Sequence, residues 1–80
     1  MLAEAVRETR RKKGFSIGQL SKRSGVPEWV IHHIESETPS YVPSEGNTAL
    51  LGEALRLPVG PLLAQREGLF EQGHPREVVG

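Results

Sequence analysis

The sequence predicts an all-α domain, a compact bundle of about five short helices. Three observations carry this. Apolar residues recur at spacings of three and four along most of the chain. Glycines and prolines cut that periodicity into short blocks, at Gly14, at Gly25-Val26-Pro27, from Pro39 to Pro43 and at Pro58. No stretch alternates with period two, so no sheet is expected, and there is no internal repeat. The 80 residues are enough for one domain, read here as residues 1–66 followed by a tail, 67–80, that is partly disordered. A chain this short buries only about 60% of its unfolded surface, so nearly all its apolar side chains must face one another.

Each helix has its own signals. In the first, Leu2, Val6 and Thr9 share a face. Glu4 and Glu8 lie toward its start and Arg10 to Lys13 toward its end, the order that suits a helix dipole. Gly14 ends it. Ser16 and Gln19 form a capping-box pattern, with Phe15 in the staple position, so a second helix runs from about Ile17 to Arg23 with Leu20 inward. Ser24-Gly25 stops it, and Pro27 opens a third helix, where a missing N–H costs nothing. Val30, Ile31 and Ile34 face inward there, which turns Glu28, Trp29, His32 and His33 outward. The run SETPSYVP (36–43) reads as a loop. Ser44 caps a fourth helix to near Arg56, with Leu50, Leu51, Ala54 and Leu55 inward. A fifth covers Val59 to Arg66 around Leu62 and Leu63.

Composition narrows the chemistry. There is no cysteine, which excludes disulfides and thiolate metal sites. No apolar run approaches the ~18 residues of a membrane span, and no apolar leader precedes the basic residues, so a cytoplasmic setting is expected. Catalysis is not expected: the chain has no aspartate, no cysteine nucleophile and no Gly-rich phosphate loop. Ten basic residues balance ten acidic ones, but unevenly. Residues 1–34 carry seven cations against three acids, and residues 35–80 the reverse. A polyanionic partner would meet the N-terminal half. The alternative is two ordinary solvated surfaces, with Arg10 to Lys13 simply a helix end.

The segment GFSIGQLSKRSGVPEWVIHHIE (14–35) places two short helices around a tight glycine-bearing turn, which is helix-turn-helix spacing. Gly18, Leu20, Gly25, Val26, Val30, Ile31 and Ile34 supply the close approach, the turn and the apolar contacts it needs. Here the chain resembles the phage-repressor and Cro type of helix-turn-helix domain, the XRE family. The resemblance rests on Gly14-Phe15-Ser16, Leu20, Gly25-Val26 and Ile31-His32-His33-Ile34-Glu35, and continues through Pro43-Ser44 and Leu50 to Pro58. It covers residues 2–66.

The resemblance implies a lambda-repressor-like fold and a DNA-binding transcription regulator, a repressor acting as a homodimer, with helix three in the major groove of double-stranded DNA. Carried over, the base readers are Glu28, Trp29, His32 and His33. Ser16, Ile17, Ser36, Thr38, Ser40 and Tyr41 lie near the DNA backbone. Arg10 and Glu35 form a structural ion pair. The chain departs from the family at Ile17, where many relatives have Gln, at Pro27, where Ser or Thr is common, and in a longer loop after Glu35 that lacks Lys and Arg.

The residues also allow a rival reading, a protein-interaction module of the same fold that uses Trp29 or the tail, with Leu69, Phe70, Val78 and Val79. Trp29 could equally pack within the molecule, and His32 and His33 could be plain solvated residues. Glu28 and His32 share a face at i, i+4, but two ligands are too few for a structural zinc site. No metal or other cofactor is expected.

Overall fold

The computed structural model describes residues 1–70, and these form five helices with no strand: α1 (Leu2–Lys12), α2 (Ile17–Ser24), α3 (Glu28–Glu35), α4 (Glu45–Leu55) and α5 (Val59–Phe70). The molecule is an all-α bundle. Residues 71–80, with Val78 and Val79, lie outside the described residues.

Local signals set most of the boundaries. Gly14 takes a left-handed φ of 74°, a conformation that costs glycine little, and the chain turns there. Ser16 caps α2 reciprocally: its Oγ accepts from Gln19 N–H at 3.0 Å, and Gln19 Oε1 accepts from Ser16 N–H at 2.8 Å. Gly25 closes α2 at φ 79°. Two serines then lock the turn into α3. Ser21 Oγ donates to Val26 C=O at 2.6 Å, and Ser24 Oγ accepts from Val26 N–H at 3.1 Å. Ser44 caps α4 by accepting from Asn47 N–H.

Val6, Leu20, Val26, Val30, Ile31, Leu51, Leu55 and Leu62 form the centre of the core. The helices α4 and α5 meet closely at Gly52. A Cβ there would stand 2.9 Å from Leu62 Cδ1 and 3.2 Å from Val59 Cγ2, closer than packed atoms tolerate.

The fourth helix ends near Arg56 as expected, with Arg56 itself in the left-handed region at φ 58°. The structure differs from expectation in three places. Leu50 points outward, 40% exposed, because the buried face of α4 runs through Thr48, Leu51, Gly52 and Leu55 and Leu50 lies off it. The fifth helix runs four residues past Arg66, so 67–70 belong to the bundle and not to a tail. Finally, Tyr41, Val42 and Pro43, read as loop surface, are buried.

Arg66 explains that last difference. It is 3% exposed, and its Nε donates to Pro43 C=O at 2.7 Å. Glu67 and Glu45 balance its charge at 3.1 and 3.8 Å, and Phe70 lies under its guanidinium at 5.2 Å. A buried charge is tolerated when it is paired and hydrogen-bonded, and this one ties the loop before α4 to α5.

Candidate functional site

Helix α3 is short, so its presentation depends on what holds its two ends. At its start, the Ser21 and Ser24 contacts fix the turn. At its finish, Arg10 grips Glu35 with two hydrogen bonds, Nε to Oε2 at 2.7 Å and Nη2 to Oε1 at 2.8 Å. Arg10 Nη1 also donates to Phe15 C=O, and Arg7 Nη1 donates to Glu35 C=O at 3.0 Å. Two cations thus sit against the carbonyl end of the α3 dipole. The Glu35 hydrogen bonds hold the Arg10 guanidinium above its ordinary pKa, outweighing the opposite effect of burial. The ion pair expected between these residues is present.

With Val30, Ile31 and Ile34 buried, Glu28, Trp29 and His32 are exposed on one flank of α3, Trp29 to 48%. These three are surface residues, as expected. His33 is not. Its ring stacks on Tyr41 at 5.0 Å with 27° between the planes, and its Nδ1 shares a 2.9 Å hydrogen bond with Thr38 Oγ1. Trp29 stands edge-on to both rings, 6.0 Å from His33 and 6.3 Å from Tyr41. His33 was expected as a base reader and Thr38 and Tyr41 as backbone contacts; the structure joins all three at the loop that follows α3, with His33 and Thr38 half-buried and Tyr41 buried.

The corrections have a common cause. Periodicity tells which face of a helix is polar, but His33 lies at the edge of that face, where the 36–43 loop folds over it. Tyr41 is 8% exposed and belongs to the core, so it is no backbone contact. Burial pushes its phenol pKa up. Ile17 packs its side chain against the core and can offer a phosphate only its backbone N–H. Ser16 is exposed, although its hydroxyl is already committed as the α2 cap. Ser36 and Ser40 are exposed on the loop, Ser40 with φ 65°.

Glu28 leans toward α2. Its Oε2 lies 3.6 Å from where a Cβ on Gly18 would be, beside Ser16 Oγ, and so brings a negative charge to the first turn of α2. Gly18 was expected to allow the two helices to approach, but a Cβ there would make only ordinary contacts. The exposed cations of the first two helices are Arg11, Lys12 and Lys13 at the end of α1 and Lys22 and Arg23 at the end of α2. None forms an ion pair among the described residues. Arg23 lies over the Phe15 ring at 4.5 Å.

Among the described residues, no three metal-ligating side chains come together, and no helix is long and apolar enough to cross a membrane. No family model, curated protein or solved structure matches the chain.

Proposed function

We propose that this domain is a sequence-specific DNA-binding transcription regulator, acting as a repressor. Helix α3 enters the major groove, with Trp29 and His32 facing base edges. His32 can donate to guanine N7 or O6, and Trp29 can press on a thymine methyl. Glu28, beside the first turn of α2, acts against phosphate rather than for it. The single observation that supports this reading is the exposed Glu28-Trp29-His32 flank of a helix held firmly at both ends. One such helix reads one half-site, so two copies must pair to read an operator, one helical turn of about 34 Å apart.

Selection from a random duplex pool, followed by gel shift at low and moderate salt, tests the proposal. A selected sequence retarded at micromolar protein or below, with preference relaxed by His32→Ala, is expected. No retarded band from folded protein at that concentration overturns it.

A second reading has an observation of its own. Trp29 is half exposed yet braced by two aromatic rings, which suits an anchor for a protein partner. Salt separates the readings. DNA binding weakens steeply as salt rises, whereas apolar docking on Trp29 does not.

A further inference from the structure

A cavity of about 540 Å³ lies between the start of α1, the loop after α3 and the last turns of α5. That volume is in the range of small-molecule sites, roughly 300–1,000 Å³. Its walls are mostly apolar, with Leu2, Ile34, Val42 and Leu69 among them. Two of its lining residues own buried polar atoms with no hydrogen-bond partner among the described residues, the Tyr41 hydroxyl and Gln65 Oε1. Such atoms are rare in folded proteins, because each forfeits its hydrogen bonds to water without replacement. Helix α1 begins at the same cavity without a side-chain cap, so its first-turn N–H groups have no acceptor within the helix.

We propose that this cavity binds a small neutral amphiphile, a molecule with an apolar body and an amide-like head. The chemistry of the walls selects that class. The apolar lining takes the body. Gln65 Oε1 needs a donor, while the Tyr41 hydroxyl and the α1 first turn offer donors to an acceptor. An amide-like head supplies both. Among the described residues that line the cavity there is no Lys or Arg and there is Glu37, which disfavours an anion. A bare cation would leave the Tyr41 hydroxyl and the α1 N–H groups without an acceptor. The site is separate from the exposed α3 flank, but it shares His33 and Tyr41 with the aromatic cluster that braces Trp29.

The test is fluorescence titration of the full chain with dansylamide, a neutral naphthalene sulfonamide whose emission rises in apolar surroundings. A saturable one-site rise is expected, with the corresponding anionic sulfonate at least about tenfold weaker. Tyr41→Phe keeps the shape of the wall and should weaken dansylamide about fivefold, the effect of one hydrogen bond. Gly68→Phe should abolish binding with circular dichroism unchanged. Gly68 lines the cavity, and no atom lies within 4 Å of an added Cβ, so the new side chain starts in open space. The proposal is overturned by any of three results: no saturable rise, equal binding of the sulfonate, or titrations that neither variant alters. A rise that appears only as the chain self-associates also overturns it, because the cavity would then be covered by a second copy.

Discussion

Replacing Glu35 by alanine strands Arg10. The two side chains are 12% and 8% exposed, so water compensates little for the lost partner, and the guanidinium keeps only the Phe15 carbonyl. Leaving a buried charge unpaired costs more than the pair itself contributes. The expected loss is about 2–3 kcal/mol, at the low end for such pairs because this one lies at the edge of the core. Urea unfolding measures it, and a loss below about 1 kcal/mol would show that the pair does not hold α3. Tyr41 yields a prediction in pH. Its folded pKa lies above the ordinary 10.0, so the folded state holds the proton more tightly than the unfolded chain does. The resulting stability is fully present below about pH 10 and is lost as pH rises through the folded pKa. Tyr41 is the chain's one tyrosine, so absorbance near 295 nm follows it alone. Tyr41→Phe should lose less stability than the native chain between roughly pH 9 and 11, and it should be about 1 kcal/mol more stable at neutral pH, having no unpartnered hydroxyl to bury. Parallel melting curves across that range would refute the assignment.

At the scale of elements, the close contact of α4 with α5 depends on a single position, Gly52. A side chain at Gly52 must displace Leu62 and Val59, both held within the bundle. Gly52→Val is therefore expected to cost about 1–3 kcal/mol, more than the helix propensity gained on removing a glycine. Thermal melting of Gly52→Val beside Gly46→Val makes the comparison, because a Cβ at Gly46 meets nothing within 4 Å. Equal stability of the two variants would mean that the crossing is looser than it stands here. Gly52 also marks the limit of what the sequence discloses. Ser16 with Gln19, Gly14, Gly25 and Ser44 act on neighbours within three or four residues, so their roles were legible and the helix boundaries near them fall where expected. Arg66 acts on Pro43, 23 positions away, and no local pattern announces that a charge near the end of the chain will be buried. The burial of Tyr41 in the core and its stacking on His33 likewise join residues that no helical period relates. The Arg10–Glu35 pair is just as distant in sequence. It was anticipated only through the family resemblance.

The whole molecule carries its charges unevenly, and the asymmetry makes the proposed DNA surface testable as a unit. Arg11, Lys12, Lys13, Lys22 and Arg23 are exposed without acidic partners among the described residues, while Glu28 brings a negative charge to the first turn of α2. Each phosphate neutralised releases condensed counterions, so the logarithm of the binding constant falls with the logarithm of salt at about 0.9 per contact. If Lys22 makes such a contact, Lys22→Gln should reduce the slope by about one per protomer and weaken all sequences alike. Glu28→Gln is the more decisive change. The carboxylate can do two opposite things: accept from cytosine N4, or repel phosphate at the start of α2. Glu28 Oε2, 3.6 Å from where a Cβ on Gly18 would be, lies close to the first turn of α2, which favours repulsion. Glu28→Gln should then tighten binding several-fold at low salt, for every sequence, with the gain shrinking as salt screens the charge. A loss of affinity confined to sites with cytosine at one position would give Glu28 the reading role instead. No change in either respect, at any salt, would separate α3 from DNA altogether and leave Trp29 as the anchor for a protein.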